Sequence, residues 1–353
     1  MKKDWQTRNL GELCRIRTGK KDVNEGNPEG EFPFFTCAAE HTFSDSYSFD
    51  TEALLIAGNG DVGNVSYYNG KFEAYQRTYV LSDFADVSPR FLYLILDGKL
   101  KDTVSKQKLG NTMPYIKVGM LTDFQLPVPP LPEQQRIVGL LDEAFACLAT
   151  AKANAEKNLQ NARALFEGHL QSVFTQRGPG WVEKPFEDCI EDVKYTTKIQ
   201  RKEFLEEGEF PIVSQEADFT NGYWNNAADV FKVTRPIVIF GDHTQVLKYI
   251  DFDFVLGADG VKILPPKPFL NPKFFFYSLR SAPVKALGYA RHYRLLKELQ
   301  ISYPDMDKQF EIVTKLDSLS EETQRLASLY ERKLELLEAL KKSLLNEAFT
   351  GKL

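Results

Sequence analysis

A glycine-rich segment is the first place in this sequence where the spacing of residues could support chemistry. Residues 58–63, Gly-Asn-Gly-Asp-Val-Gly, fit the G-x-G-x-x-G pattern of a dinucleotide phosphate loop and follow an apolar run. That chemistry needs a helix directly after the glycines, because the helix N-terminus holds the pyrophosphate. Residues 64–70 instead have the composition of a strand that ends in a turn. The sequence therefore predicts a glycine hairpin and argues against a nucleotide-dependent enzyme.

Sequence motifs of common catalytic and metal sites are absent from the chain. It contains no G-x-x-x-x-G-K-[S/T], no G-x-S-x-G, no H-E-x-x-H and no Asn/Asp-Pro-Pro-Tyr/Phe segment of the adenine methyltransferase type. The four cysteines include no C-x-x-C pair, and the four histidines show no ligand spacing. We therefore expect no catalytic residues, no metal and no cofactor bound to this chain itself.

Two stretches of the chain are locally basic. Residues 280–297 contain no acid and include Arg280, Lys285, Arg291, Arg294 and Lys297. Residues 99–117 contain one acid and include Lys99, Lys101, Lys106, Lys108 and Lys117. Because 44 Lys and Arg face 49 Asp and Glu, the net charge is −5 and any basic surface must be local. A solvated charged face would explain one such stretch, but two at equivalent positions of a repeat favour contact with DNA phosphates.

Sequence-specific DNA binding also needs donors and acceptors that reach base edges. Polar side chains of this kind occur in predicted loops and in the two basic stretches. The predicted DNA-binding residues are Asn59, Gln76, Arg77, Lys106, Lys108, Asn111, His243, Thr244, Gln245, Arg291, His292 and Arg294.

The second half of the chain is a diverged copy of the first half. Near the start of each copy, Trp5 and Cys14 recur as Trp181 and Cys189, and Gly30-Glu31-Phe32-Pro33 recurs as Gly208-Glu209-Phe210-Pro211. Further along, Gln134, Ile137 and Leu141 recur 175 residues later as Gln309, Ile312 and Leu316. Matches at a nearly constant offset at both ends of the repeat indicate a tandem duplication.

Each repeat has a strand-rich part and a helical part. The strand-rich parts, residues 1–130 and 178–304, are rich in Gly, Pro, Asn and aromatic residues and contain short apolar runs at 53–57, 75–81, 236–240 and 261–264. The helical parts, residues 131–177 and 305–353, have little Gly and no Pro after Pro132, which predicts helices over 132–176 and 307–349. The sequence thus predicts an α+β protein with two strand-rich globular domains, each followed by a long helix.

The apolar residues of the two predicted helices follow matching heptad-like spacings. The first helix has Ile137, Leu141, Ala144, Leu148, Ala151, Ala155, Leu159 and Ala162 at these positions. The second has Ile312, Leu316, Leu319, Thr323, Leu326, Tyr330, Leu334 and Leu337. A helix of about 42 residues is about 63 Å long and needs a partner stripe. We predict an antiparallel coiled coil whose length sets the spacing of the domains; the alternative is that each helix packs across its own domain.

Length and hydropathy restrict the class of protein further. The 353 residues exceed the size at which a single hydrophobic core stops growing, and 43% of them are apolar, so two ordinary globular domains are expected. No apolar run reaches the length of a membrane span, and the first ten residues lack the apolar core of a signal peptide. We expect a cytosolic protein without a membrane partner.

The first junction between domain and helix resembles a motif of a known family. Residues 126–138, Leu-Pro-Val-Pro-Pro-Leu-Pro-Glu-Gln-Gln-Arg-Ile-Val, are similar to the junction in the specificity (S) subunit of Type I restriction-modification systems. The domain start at Trp5 and residues 10–13, and the helix ends at residues 166–175 and 344–353, resemble those of the same family. The second junction, residues 301–310, departs from the pattern because it keeps Gln309 but lacks the double proline and the Glu.

The resemblance implies a non-catalytic subunit with two target-recognition domains, each of which reads one part of a split, asymmetric DNA site. Residues 241–244, 257–261 and 291–293 look like segments of one class of these domains. The implied partners are double-stranded DNA, two modification (methyltransferase) subunits and, in the full complex, restriction subunits. S-adenosylmethionine and adenine methylation would belong to the modification subunit. A non-catalytic scaffold with duplicated protein-binding domains is the alternative.

Overall fold

The computed structural model describes residues 4–105, 114–258, 260–282, 288 and 290–353, and its chain forms two compact units. Unit 1 comprises Met1–Glu156 and Arg332–Leu353, and unit 2 comprises Lys157–Glu331. Each unit combines strands, short helices and segments of two long helices. This composition confirms the predicted α+β fold class.

The described part of unit 1 is built from short strands and helices that precede the first long helix. Its strands are β1 (Gln6–Asn9), β2 (Arg15–Thr18), β3 (Phe32–Phe35), β4 (Thr42–Ser44), β5 (Phe49–Ala57), β6 (Val65–Ala74), β7 (Thr78–Ser82) and β8 (Gln125–Val128). Its short helices are α1 (Leu10–Leu13), α2 (Pro89–Ser105) and α3 (Val118–Thr122). β1 pairs with β8, so the start of the unit lies beside the strand that leads into the first long helix.

Six strands of unit 1 form one sheet in the order β2-β7-β5-β6-β3-β4. The fully buried Leu54 and Ile56 of β5 and Phe91 of α2 belong to one core cluster, so the helix covers one face of the sheet. β6 continues past the turn predicted near residue 70, because its residues pair with β5 along the whole hairpin. β7 begins at Thr78 and not at Tyr75, because residues 75–77 form a turn closed by a hydrogen bond from Thr78 N to Tyr75 O of 2.8 Å.

Unit 2 repeats this plan with more and shorter strands. Its strands are β9 (Val182–Pro185), β10 (Lys198–Ile199), β11 (Phe210–Val213), β12 (Gly222–Trp224), β13 (Val230–Phe231), β14 (Ile237–Gly241), β15 (Leu247–Ile250), β16 (Phe254–Gly257), β17 (Val261–Leu264) and β18 (Gln300–Tyr303). Its short helices are α5 (Pro272–Ser281) and α6 (Tyr293–Lys297). β14 lies between β15 and β17, as β5 lies between β6 and β7 in unit 1, and β9 pairs with β18 as β1 does with β8.

The two long helices, α4 (Leu131–Thr175) and α7 (Met306–Thr350), pair antiparallel within each unit. In unit 1, Arg136 donates to the carbonyl of Leu353 at 2.9 Å, and Lys152 Nζ lies 2.8 Å from Glu338 Oε1. From the first of these contacts to the second, the residue number rises along α4 and falls along α7, so the two helices run in opposite directions. Every residue of the predicted seam is buried or half-buried, which confirms the coiled-coil prediction for these helices.

Unit 2 contains the other end of the helix pair. Arg163 lies 2.7 Å from Glu331, and Phe166 and Leu170 of α4 pack with Leu316 of α7 in one buried cluster. The same cluster includes Tyr277 of α5. The helices therefore pair with each other and also pack on the domain, so the two arrangements considered from the sequence occur together.

A buried glutamine joins each long helix to its domain in the same way. Gln134, which is 0% exposed, accepts a hydrogen bond from Ser88 N (2.7 Å) and donates to Asp86 O (3.1 Å) and Pro129 O (2.8 Å). Gln309, also 0% exposed, accepts from Asn271 N (2.8 Å) and donates to Phe269 O (3.0 Å) and Pro304 O (2.9 Å). We call these contacts the glutamine clamps. Each clamp holds the first turn of the domain helix against the start of a long helix.

Candidate nucleic-acid interface

Four loops of unit 1 meet at one end of its sheet, and we call residues 36–41, 58–64, 75–77 and 115–116 loop cluster 1. Gly58 N donates to Arg77 O at 3.0 Å, and Ile116 N donates to Gly58 O at 2.9 Å. Cys37 Sγ donates to Arg77 O at 3.4 Å. These hydrogen bonds, two between backbone groups and one from a thiol, join four segments that are far apart in the sequence.

The glycines of residues 58–63 serve this close packing of loops. A Cβ atom on Gly58 would lie 2.3 Å from Arg77 O, and Gly60 and Gly63 have φ values of +63° and +82°. β6 follows these residues directly and pairs with β5, with Ile56 opposite Val65. The predicted glycine hairpin is confirmed, and no helix follows the glycines that could hold a pyrophosphate.

The predicted DNA-binding residues of unit 1 differ in their exposure. Gln76 and Arg77 are exposed at the turn between β6 and β7, where Gln76 Nε2 donates to Asp22 Oδ2 at 3.2 Å. Asn59 is only 8% exposed and forms a β-bridge with Tyr115. Lys106, Lys108 and Asn111 lie outside the described residues. The structure therefore presents Gln76 and Arg77 to solvent and uses Asn59 within the loop cluster.

A buried aspartate organises the corresponding loops of unit 2, and we call residues 214–216, 241–245, 260 and 290–294 loop cluster 2. Asp242 is 3% exposed, and its backbone N donates to Gly260 O at 2.6 Å. Asp242 O accepts from His292 N at 2.7 Å, and Asp242 Oδ1 accepts from Tyr293 N at 2.7 Å. These bonds hold the 241–245 loop beside the start of α6.

Loop cluster 2 brings together predicted residues that are about fifty positions apart in the sequence. Thr244 is exposed, and His243 and Gln245 are half-exposed. Arg291 and Arg294 are exposed, whereas His292 is 1% exposed and its Nδ1 lies 3.0 Å from Asp242 O. His292 thus supports the loop from inside while its neighbours face solvent. The sequence does not distinguish these two roles, because burial here depends on a contact with Asp242.

Three arginines give the two loop clusters free positive charge. Within the part of the chain that the structure describes, none of Arg77, Arg291 and Arg294 forms an ion pair. Three other basic residues of the two stretches pair with acids that are far away in the sequence. Lys101 lies 2.6 Å from Asp61, Lys297 lies 2.6 Å from Glu187, and Arg280 pairs with Glu167. Lys101, Arg280 and Lys297 are therefore paired with acids, whereas Arg77, Arg291 and Arg294 present exposed guanidinium groups, which are well suited to contact phosphates.

The described residues show no group of three or more His, Cys, Asp or Glu side chains that could hold a metal ion. Cys14 and Cys189, equivalent in the two repeats, are buried, and burial raises the pKa of Cys14 to about 12 and that of Cys189 to about 11. These thiols are therefore protonated and packed in the cores. Among the described residues, no helix has the length and apolar character of a membrane span.

Comparison with known proteins points to a DNA-specificity family. A family model described as the Type I restriction modification DNA specificity domain matches residues 2–160. The chain is 42% identical over 154 residues to the Type I restriction enzyme EcoDI specificity subunit of Escherichia coli, which covers 44% of this chain and 34% of that protein. The match thus spans about a third of that relative. The MjaVIII specificity subunit of Methanocaldococcus jannaschii is 21% identical over 99% of this chain and 93% of its own.

Solved structures share the fold. A chain from a study of complex assembly and conformational transition of the Type I R-M system superposes with a TM-score of 0.80 at 18% identity, over 99% of both chains. The HsdS subunit of Thermoanaerobacter tengcongensis superposes with a TM-score of 0.63 at 18% identity, over 100% of this chain and 98% of that one. At this level of identity the likeness establishes the architecture alone.

Proposed function

We propose, from the premise that this chain belongs to the family of specificity subunits of Type I restriction-modification systems, that it selects the DNA sequence at which partner subunits act. The observation that carries the proposal is the pair of loop clusters. They are formed by equivalent loops of two similar units, yet they present different side chains. Each cluster would read one part of a split, asymmetric site.

Exposure divides the candidate residues into two roles. The exposed and half-exposed side chains of loop cluster 2, His243, Thr244 and Gln245, would reach base edges, as would Gln76 in loop cluster 1. The exposed arginines, Arg77, Arg291 and Arg294, would contact phosphates and fix the register. The buried Asn59 and His292 would position the loops. Lys106, Lys108 and Asn111 stay predictions for the segment that precedes Tyr115.

Two modification subunits are the proposed protein partners, with restriction subunits added in the full complex. Leu165 in unit 2 and Leu340 in unit 1 are 54% and 47% exposed and occupy equivalent positions of the repeat. Exposed apolar residues that occur twice, once in each unit, fit two copies of the same partner. Adenine methylation with S-adenosylmethionine would belong to that partner, and this chain would be non-catalytic and work in the cytoplasm.

Co-purification with the partner tests this proposal. We expect the chain to purify with two copies of an adenine methyltransferase, and the complex to bind and methylate a split DNA site. Leu165→Asp and Leu340→Asp should each reduce the stoichiometry toward one copy. Leu329→Asp is the matched control, because Leu329 is 53% exposed but its equivalent residue is Asn154.

A protein scaffold is the alternative function that the same exposed leucines would allow. The scaffold would bind its partner but give no sequence-dependent DNA binding or methylation in the assembled complex. That result would overturn the proposed function.

A further inference from the structure

A buried lysine lies behind loop cluster 2. Lys248, in the middle of β15, is 4% exposed and pairs with Ile239 of β14. Its ammonium donates to Ser214 O (2.9 Å), Asp218 O (2.5 Å) and Asn221 Oδ1 (3.2 Å), so its three donors have three acceptors. Burial lowers the pKa of Lys248. Burial of a cation costs desolvation free energy, which an apolar residue at this position of the strand would avoid, so the lysine calls for a functional reason.

Unit 1 shows that the fold does not require this lysine. Leu55 of β5 lies on the face of its sheet away from α2, as Ile239 of β14 lies on the face away from α5, and Leu55 pairs with Ser66 of β6 as Ile239 pairs with Lys248, so Ser66 occupies the equivalent position. Ser66 is half-buried and uncharged. The lysine is therefore a feature of the loops in unit 2 and not of the shared sheet.

The three acceptors of Lys248 belong to one turn, residues 214–221, between β11 and β12. Asn221 Oδ1 also accepts from Ser214 N at 2.9 Å, which closes the turn on itself. Ser214 is 2% exposed. Lys248 thus fixes both ends of the turn from the inside.

The turn of residues 214–221 holds the exposed loop of residues 241–245 through Gln215. Gln215 Oε1 accepts from His243 N at 3.2 Å, and Gln215 O accepts from Thr244 Oγ1 at 2.5 Å. A Cβ atom on Gly260 would lie 2.4 Å from Gln215 Oε1, so the side chain fills the space that this glycine leaves. Loop residues 243 and 244 are therefore placed by Gln215, which is placed by Lys248.

We propose that Lys248 is a positioning residue for sequence recognition by unit 2: through residues 214–221 and Gln215 it sets the conformation of the 242–245 loop, and so decides which bases that loop accepts. The inference rests on the proposed function. Because Lys248 is buried, it acts without touching DNA.

Methylation mapping of the intact complex tests the inference. The complex with its methyltransferase is supplied with a library of split sites, and methylated sequences are compared for the wild type and Lys248→Met, which keeps the length of the side chain without its charge. We expect discrimination at one or more bases of the half-site read by unit 2 to fall about tenfold or more, while the other half-site is unchanged. Lys232→Met, at an exposed lysine of unit 2, is the matched control.

The informative readout is a gain of methylation at sequences that the wild type rejects, because simple loss of folding would lower methylation at every site. Unchanged base preference in Lys248→Met would overturn the inference. If Lys248→Met gives no methylation at all, Gln215→Ala decides: relaxed preference in the same half-site supports the inference, and unchanged preference overturns it. A wild-type complex without any split recognition sequence would instead refute the proposed function.

Discussion

The two units of the molecule share the contacts that attach the long helices to the domains, but they differ in their loops. Gln134 and Gln309 make the same three hydrogen bonds to equivalent backbone groups. The loops after β5 and β14 are held differently. In unit 1 an exposed ion pair joins Asp61 to Lys101, whereas in unit 2 the buried Asp242 joins the loop to α6.

The two units also share an aromatic contact at the other end of each long helix. Phe349, near the end of α7, packs edge-to-face on Phe91 of α2 at 5.8 Å. Phe174, near the end of α4, packs on Phe274 of α5 at 5.2 Å. Since both units retain these contacts, attachment of helix to domain constrains the sequence of the repeat more than the loops do. The loops are then free to differ, as the proposed recognition of two different half-sites requires.

The largest and most symmetrical effect is expected at the glutamine clamps. Gln134→Ala and Gln309→Ala should each lower the free energy of unfolding by about 3 kcal/mol, because each leaves three backbone groups without their partner in a buried site. Urea unfolding of both variants checks this, with the exposed Gln160→Ala as the matched control. If one of the two variants lowered the free energy of unfolding by less than about 1 kcal/mol, the two glutamine clamps would not be equivalent.

Substitution of the aspartates that hold the two loops, Asp242 and Asp61, should lower the free energy of unfolding by unequal amounts. Asp242→Ala is expected to cost about 2 kcal/mol of unfolding free energy, because a buried charged acceptor of the Tyr293 N–H is lost. Asp61→Ala should cost less than about 1 kcal/mol, because the pair with Lys101 is solvent-exposed. The same urea titrations measure both. Asp242→Asn, which keeps an oxygen acceptor, should lie between the two, and equal losses for both alanine variants would contradict the difference between the loops.

The smallest effect is expected on the salt dependence of DNA binding by the assembled complex. Arg77→Ala, Arg291→Ala and Arg294→Ala should each lower the slope of log affinity against log salt by about 1, equally for all DNA sequences. Lys101→Ala should change it less, because Asp61 already neutralises Lys101. Binding titrations at several salt concentrations provide the slopes. A variant that alters preference for one base and keeps the slope would instead assign its arginine to base reading.

The sequence predicted the parts of the fold that depend on pattern. The duplication, both long helices to within one residue at each end, and the seam from Ile137 to Ala162 are all present in the structure. These features follow from spacing along one segment of chain, which a single sequence displays directly.

The sequence did not predict the contacts that form the candidate site. Asp242 meets Tyr293, and Lys248 meets Asp218, only because loops from different strands converge at one end of the sheet. The ion pairs of Arg280 and Lys297 were not predicted for the same reason, since their partners Glu167 and Glu187 lie in other elements. A lysine within the apolar strand β15 was a local signal that a buried polar contact existed.

Sequencing of the methylated sites made by the complex with Gln76→Ala and with Gln245→Ala tests whether each unit reads its own part of a split site. We expect Gln76→Ala to relax base preference in one half-site and Gln245→Ala in the other, with the unread spacer between them unchanged. If both substitutions alter the same half-site, or if the methylated sequence is a single undivided block, the account is contradicted.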